Sequence, residues 1–429
     1  MNRERILAEI PQRLMQIAER ICAAGGRSYL VGGFVRDALL GIPSRDFDVE
    51  VYGIEQKTLL DILKNFGRPN LVGRAFGVVH LVSRGLELDF SFPRTESKVG
   101  EGHRGFLVET HLNLTFKEAA RRRDFTVNAM GLSLPELKLS DPYDGKNDLE
   151  QKILRHVSPA FSEDSLRVLR GVQFASRFSL TLSPETAELC RSLSLADLSP
   201  ERLFEEFKKW LLKPGRPSFG LAAFGEMDLF RFFPEIRPWN GSLENLGILL
   251  DRISKELDDV PNLISKEVLA FSALLSGADT PEAAKTFLAR MTNEIQLLKR
   301  VPVFCAFIPE LLVRAKSPNA FDAEFLRRSS VAQGGLFLSY LYLKSAAFLD
   351  GVDCSAAETF REEAEKLNVF LAPPKPWLRG ADLLQMGLKP GKRIGEIIHA
   401  EFELQLQGKI LSRDAALDFG KAAISNGIT

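Results

Sequence analysis

The run SRDFDVEVYG, Ser44 to Gly53, constrains this chain more than any other stretch. Phe47, Val49 and Val51 alternate with polar residues, the pattern of a β-strand with one buried face. Side chains two apart on a strand share a face, so Asp46, Asp48 and Glu50 project together, opposite the apolar set. Neighbouring carboxylates repel unless a cation lies between them, and hard oxygen donors of this kind suit Mg²⁺. Just upstream, YLVGGFVRDALLG reads as a strand over Tyr29–Val31, a turn at Gly32-Gly33 and a helix entered at Phe34. Glycines at a strand-to-helix turn let backbone N–H groups approach a phosphate, and the helix N-terminus adds a favourable dipole. Arg36, on the first helical turn, reaches the same anion. An acid pair or a glycine turn alone is ordinary; side by side they point to phosphate chemistry.

Three further stretches fit around this pair. LELDFSFPR alternates like the first strand, with Leu86, Leu88, Phe90 and Phe92 on one face and Glu87, Asp89 and Ser91 on the other. If it neighbours the Asp46–Asp48 strand, Asp89 completes a three-carboxylate, two-metal site, with Glu87 as the competing candidate although a surface role suits it better. KEAARRRDFTVNAMG places Arg121–Arg123 before Asp124 and Asn128, and Arg123 is placed to bind a triphosphate. The helix SEDSLRVLRGVQFASRF, with Ser162 as expected N-cap, carries Asp164, Arg167 and Arg170 three residues apart, the first two on one helical face. The plain reading of that pair is a surface salt bridge; the sharper one is that it reads the edge of a base. DPYDGKNDL, Asp141 to Leu149, is a turn-rich hinge.

Composition sets the frame. A length of 429 residues suggests roughly two to four domains. Strand signals over Ser28–Val31, Phe47–Val51, Gly77–Val82 and Leu86–Phe92 stop after about Ile153, so the expectation is an α/β head followed by a helical remainder. Phe at helical spacing (31 in all) reads as core. No stretch reaches the ~18 apolar residues of a membrane span, and the charged amphipathic start, MNRERILAEIPQRLMQ, does not read as a secretory signal. Cys22, Cys190, Cys305 and Cys354 lack disulfide or metal spacing and read as buried thiols in a reducing, cytoplasmic setting. Basic and acidic residues both number 56, so any nucleic-acid contact must come from local clusters. Candidates are Lys208-Lys209, Arg314-Lys316, Arg327-Arg328 and the glycine-flanked Lys389, Lys392 and Arg393.

With these runs in place, the sequence resembles the class II tRNA nucleotidyltransferases, the CCA-adding enzymes, with bacterial poly(A) polymerases as close relatives. The resemblance lies in VGGFVRDALLG with RDFDVE, RRRDFTVNAM, DPYDG, EDSLRVLRGVQFASRF and SPERLFEEFKKWL, in the family's order from Tyr29 to Leu211, and more weakly in WLRGADLLQMGLKPGKRIGEII. It implies an α+β fold: a polymerase-β-like head with a mixed β-sheet over 1–153, then an all-helical neck (154–235), body (236–370) and tail (371–429), together seahorse-like. It implies that Asp46 and Asp48 hold Mg²⁺, in a two-metal scheme with Asp89 as the further acid, and that Gly32, Gly33, Arg36 and Arg123 hold the triphosphate. Asp164 and Arg167 would act as an amino-acid template, supported by Arg170. The chemistry suits them: cytosine and adenine both show an exocyclic amine beside a ring-nitrogen acceptor, which a carboxylate and a guanidinium match. Uracil and guanine present the opposite pattern and would leave a buried charge unpaired, worth roughly 10⁴-fold in discrimination. The implied reaction is attack of the tRNA 3′-hydroxyl on the α-phosphate of CTP or ATP; the implied partner is the acceptor arm and elbow of tRNA, with no protein partner and no membrane.

Two departures matter. Gln173 stands where the family often has arginine, so a nucleotide contact there is neutral and weaker. His80, His103, His111, His156 and His399 lack metal-ligand spacing, so no phosphohydrolase activity is expected. Arg94–His111, glycine-rich and charged, fills the place of a mobile lever that CC-adding members lack; CCA addition is therefore favoured, followed by A addition, poly(A) synthesis and a non-catalytic RNA-binding role. Glu201 and Arg202 are expected to brace the neck, with Ser199 as cap.

Overall fold

In the computed structural model, residues 9–72, 78–98, 106–110, 114–237, 242–317, 321–349, 351–352 and 354–425 are described. The alternating runs of the head become a seven-stranded mixed sheet: β1 (Arg27–Val31), β2 (Phe47–Tyr52), β3 (Arg68–Val72), β4 (Val78–Ser83), β5 (Leu86–Ser91), β6 (Gly131–Leu134) and β7 (Leu139–Ser140), in the order β3-β4-β5-β2-β1-β6-β7. β2 pairs parallel with β5 and antiparallel with β1. Leu30, Val49, Val51, Val79, Leu81, Leu88 and Phe90 are fully buried. Helices α1 (Gln12–Ala23), α2 (Gly33–Leu40) and α3 (Gln56–Leu63) accompany the sheet; Leu14, Ile17 and Ile21 of α1 and Leu59 and Leu63 of α3, at helical spacing, are fully buried in the same core.

The head differs from its sequence reading in places with physical causes. β3 carries Pro69, which lacks a ladder donor and is tolerated because β3 is an edge strand. β6 and β7 are too short to show a period. Of the lever Arg94–His111, the stretches Arg94–Lys98 and Phe106–Thr110 pair as an antiparallel hairpin; 99–105 and 111 lie outside the described residues, as do Gly77 and the first eight residues of the expected N-terminal helix. Cys190 is buried as expected, but Cys22 is exposed at the end of α1.

The neck follows α4 (Phe116–Ala120), closed by a Thr115–Glu118 capping box, and α5 (Gly145–Glu150). It is formed by α6 (Leu166–Phe178), α7 (Pro184–Ser192), α8 (Pro200–Leu212) and α9 (Pro217–Glu226). Strand signals do not quite end at Ile153: Ile153–Leu154 pairs parallel with Thr181–Leu182. The N-cap of α6 is Ser165, whose hydroxyl donates to Asp197 at 2.6 Å, whereas Ser162 sits in a preceding single turn. Ser199 does occupy the N-cap of α8, without a side-chain cap bond.

The chain divides into two compact units, one ending at Phe232 and the other starting at Phe233. Among its described residues the second is helical wherever it is regular. Leu263–Leu274 and Phe337–Ala346 are buried along most of their length, and Phe304 meets Tyr342 edge-on at 5.8 Å. Near its end, Leu378, Leu383, Ile397, Ile410, Ala416 and Ala423 form a separate small core. Most phenylalanines are buried, so their abundance serves packing. Among the described residues no helix is long and apolar enough to cross a membrane.

Packing in the neck depends on Gly220 of α9. A Cβ there would stand 2.3 Å from Nε1 of fully buried Trp210 and 3.0 Å from the carbonyl of Val172 on α6. Trp210 cannot yield without losing its 3.1 Å bond to the Pro217 carbonyl. Gly220→Ala should therefore destabilise the first unit by about 1–3 kcal/mol. Thermal unfolding reads this as a lowered midpoint; an unchanged midpoint would show that the α6–α9 contact can relax.

Candidate active site

Parallel pairing of β2 and β5 sets Asp48 directly beside Asp89, and Asp46 precedes β2 by one residue. Burial, then the charges of Asp46 and Asp89, push the Asp48 carboxyl up to about 6, while Arg123 pulls the other way. Asp89 has a partner that sequence reading did not find: His80, its register mate on β4, places Nδ1 2.7 Å from an Asp89 oxygen. Among the described residues no three or more His, Cys, Asp or Glu side chains converge closely enough to hold a metal ion. Asp89 thus flanks the acid pair and does not close into a tight three-ligand cluster with it.

Glu50, two residues beyond Asp48, has the opposite environment. It is 1% exposed. Its burial alone would raise it, but Arg123 and Arg122, at 3.5 and 3.4 Å, and the Tyr52 hydroxyl, at 2.8 Å, hold it below the usual carboxylate range. Glu50 fixes the two arginines in place. Arg123 also donates to the Asn128 carbonyl at 3.3 Å.

The glycine turn lies against this arginine. Gly32 caps α2 with φ +65°, a conformation an L side chain adopts only with strain, and a Cβ there would meet Arg123 Nη1 at 3.5 Å. Arg36 is buried. It donates to Asp37 at 2.8 and 2.9 Å and to the Asn128 side chain, and it stacks 4.2 Å over the Phe178 ring.

From the neck, α6 and α8 bring the remaining candidates. Arg167 donates to the carbonyls of Ala160 and Arg122, both at 2.7 Å, which pins its guanidinium. Arg170 puts two N–H groups on one oxygen of buried Asp124, at 2.6 and 2.8 Å. Burial works against both charges, yet each outweighs it for the other: Asp124 lies below its ordinary range and Arg170 above. Asp164 accepts from the Leu166 N–H at 3.2 Å and from Arg202 at 3.2 and 3.3 Å. Arg202, expected only to brace the neck, therefore touches the proposed base reader.

These groups line one cavity of about 510 Å³. Gly32, Gly33, Arg36, Asp48, Arg123, Asp164, Arg167 and Arg170 all border it; Asp46 and Asp89 do not. Nine of its lining residues are Arg or Lys and three are Asp, the balance of a site for a polyanion. Gln173 borders it too, as do Arg177, Lys209 and Lys213, which no motif singled out for this place. Of the other basic patches, Arg314 pairs with Glu310 and Asp322, and Arg328 with Glu324 and Glu403. Lys392 is almost fully exposed.

Comparison with known proteins agrees with the geometry. Residues 28–155 match the family described as the Poly A polymerase head domain, and residues 179–240 the one described as a probable RNA and SrmB-binding site of polymerase A. The chain is 44% identical over 193 residues to a protein of Xylella fastidiosa (strain M12) named Multifunctional CCA protein, covering 43% of this chain and 44% of that one. It is 41% identical over 216 residues to a protein of the same name from Xanthomonas oryzae pv. oryzae (strain MAFF 311018), covering 48% and 51%. The matches thus span about half the length of these relatives. In fold, it is similar to a CCA-adding enzyme solved with CTP (TM-score 0.71, 21% identity, 99% and 98% of the two chains) and to the Thermotoga maritima CCA-adding enzyme solved with tRNA (TM-score 0.68, 20% identity, 98% and 97%). Residues 28–155 and 179–240 thus match the head and RNA-binding regions of that polymerase family, within a fold similar to those of the solved CCA-adding enzymes.

Proposed function

We propose that this protein adds CCA to the 3′ end of tRNA, taking CTP and ATP in turn and choosing between bases with its own side chains. One observation carries the reading: a single cavity is bordered by the acid Asp48, the phosphate turn Gly32–Gly33 with Arg36 and Arg123, and the pair Asp164–Arg167. The resemblance to Multifunctional CCA proteins supports it. On this reading residues 1–153 carry the chemistry, 154–235 the base reading, 236–370 the helical body, and 371–429 part of the grip on tRNA, where exposed Lys389 and Lys392 are offered to phosphate. A cytoplasmic setting goes with it.

The acid pair fits a divalent cation. Asp48 is held up to about 6 by burial and by the like charges of Asp46 and Asp89, which is the environment that a hard cation between oxygen donors relieves. Asp46 and Asp48 would hold Mg²⁺, which when bound supplies activation of the attacking 3′-hydroxyl and stabilisation of the departing pyrophosphate. The protein does the rest. Backbone N–H groups at the start of α2, with Arg123 beside them, hold the triphosphate. Asp164 accepts from the exocyclic amine of C or A, and Arg167, pinned by two carbonyls, donates to the ring nitrogen.

The direct test incubates the protein with tRNAs ending before C74, after C74 and after C75, with CTP, ATP or both, and resolves product lengths on a gel. With both nucleotides present, CCA addition gives one defined final length from every substrate. Extension only of the tRNA ending in C75 would replace this reading with A addition, an adenosine ladder with poly(A) synthesis, and no product with a non-catalytic RNA-binding role.

Asp46→Ala should lower the addition rate by at least about 10³-fold, since the ligand it removes contributes several kcal/mol to the transition state, while tRNA binding in a filter assay stays within about twofold. Retained addition would overturn the assignment of the acid pair.

Asp164→Ala removes the acceptor for the exocyclic amine. The roughly 10⁴-fold preference over UTP should narrow by at least about tenfold in single-turnover incorporation, through slower use of CTP and ATP and faster use of UTP. Unchanged discrimination would sink the template role.

A further inference from the structure

Most cations of the cavity are already matched to an acid. Arg36 takes Asp37, Arg170 takes Asp124, Arg122 and Arg123 share Glu50, Arg202 takes Asp164, and Lys209 takes Glu206 at 2.8 Å. Two positions stand apart from this pairing. Arg167 is held by carbonyls alone and is the arginine proposed above to read the base. The other is the corner made by Arg177, near the end of α6, and Lys213, just after α8. Among the described residues, the one acid Arg177 reaches is Asp37, at 3.8 Å to Oδ2, while Arg36 holds the other oxygen, Oδ1. Lys213 forms no ion pair among the described residues.

That corner gathers like charge. Partial burial, then Arg177 and Lys209, hold the Lys213 ammonium below the usual lysine range; Arg36 adds to the repulsion and only Glu206 opposes it. Cations held together against their repulsion in an open cavity have the makings of an anion site. Its position selects the anion. Asp37, which Arg177 reaches, lies four residues along α2 from Gly33, a rise of about 6 Å. A triphosphate lying over the Gly32–Gly33 turn would share the cavity that Arg177 and Lys213 border. Gln173, buried in the same lining, offers it no charge.

We propose that Lys213, backed by Arg177, grips the terminal phosphate of the incoming nucleoside triphosphate, and therefore one end of the departing pyrophosphate. This rests on the nucleotidyl-transfer reading and adds a residue from beyond the family motifs to it. The grip is indifferent to the base. It acts on CTP and ATP alike, and it leaves the primer untouched. It also supplies, from the end of α8, the charge that Gln173 lacks on α6.

The test uses the full-length protein, as wild type, Lys213→Ala, Lys213→Arg, and the double variant Lys213→Ala with Gln173→Arg. For Lys213→Ala, KM for CTP and for ATP should rise by the same factor, about tenfold for one partly exposed charge-assisted contact. The inhibition constant of pyrophosphate should rise by a similar factor, while kcat and KM for tRNA stay within about twofold of wild type. Lys213→Arg should stay close to wild type, and the added Gln173→Arg should recover part of the loss. Unequal shifts for CTP and ATP would move Lys213 to the base and overturn the proposal. So would a rise in KM for tRNA alone, which would give the corner to an RNA phosphodiester. Calorimetric titration with pyrophosphate supplies a readout independent of turnover: binding unaffected by Lys213→Ala overturns the subsite. Pyrophosphate binding that depends on Lys213, in a wild-type protein that adds no nucleotide to tRNA, would keep the subsite and overturn the reading of function.

Discussion

Repulsion among Asp46, Asp48 and Asp89 is the constraint around which the head is arranged. Nothing local brings these acids together. β2 and β5 are some forty residues apart in sequence and are held in parallel register by the buried faces they share, Val49 and Val51 with Leu88 and Phe90, all fully buried. Each such side chain contributes about 1.5–3 kcal/mol relative to exposure. A slip of one residue would turn the whole apolar set to the other face. The core therefore enforces the juxtaposition, with neighbouring strands about 4.8 Å apart, and the cost appears as a carboxyl at Asp48 held up to about 6.

Glu50 shows what the same strand does with an acid that has no chemistry to perform. It shares the face of Asp48 and is more deeply buried, yet it is held low because Arg122, Arg123 and Tyr52 converge on it. Opposite perturbation of two carboxylates two residues apart separates their surroundings: one is neutralised by arginines, the other is crowded by like charges. The neck repeats this logic. Asp124 and Arg170 form a close pair, whereas Asp164 meets Arg202 only at 3.2 and 3.3 Å, with both side chains about a quarter exposed. Such a contact is worth little in water-accessible surroundings, so the acid proposed to read the base is the one whose partner is most easily shared.

What the sequence made legible follows from periodicity. Alternation over Phe47–Val51 and Leu86–Phe92 disclosed both acid-bearing strands and which side chains share a face, and the glycine turn announced a helix entered at Phe34, one residue after its start at Gly33. Pairing between the strands was left open, since nothing in either run says which edge meets which. β3, β6 and β7 escaped because Pro69 reads as a break and because four and two residues are too few for a period. Ser162 looked like the cap of α6 because serine before acids has that pattern; a single turn over Pro159–Glu163 intervenes and shifts the cap to Ser165. Arg202 looked like a brace because its partner, Asp164, is distant in sequence, and Lys209 looked like part of a nucleic-acid patch because nothing local shows which cavity it borders. His80 gave no signal, since its meaning comes only from its register opposite Asp89.

A chain with 56 basic and 56 acidic residues can still form a strongly cationic cavity, and the way it does so bears on how the site works. Its arginines are held by carboxylates, carbonyls and rings: Arg36 lies over Phe178 and within 5.4 Å of Phe174, and Arg170 is 5.0 Å from Phe174. Donors fixed in this way need little reorganisation when charge develops before them, which is where electrostatic stabilisation is most effective. Spreading the same positive charge over the outer surface would strengthen attraction to every nucleic acid without regard to sequence or shape. Concentrating it inside one cavity, and balancing it elsewhere, favours an anion small enough to enter over the general attraction of a charged surface.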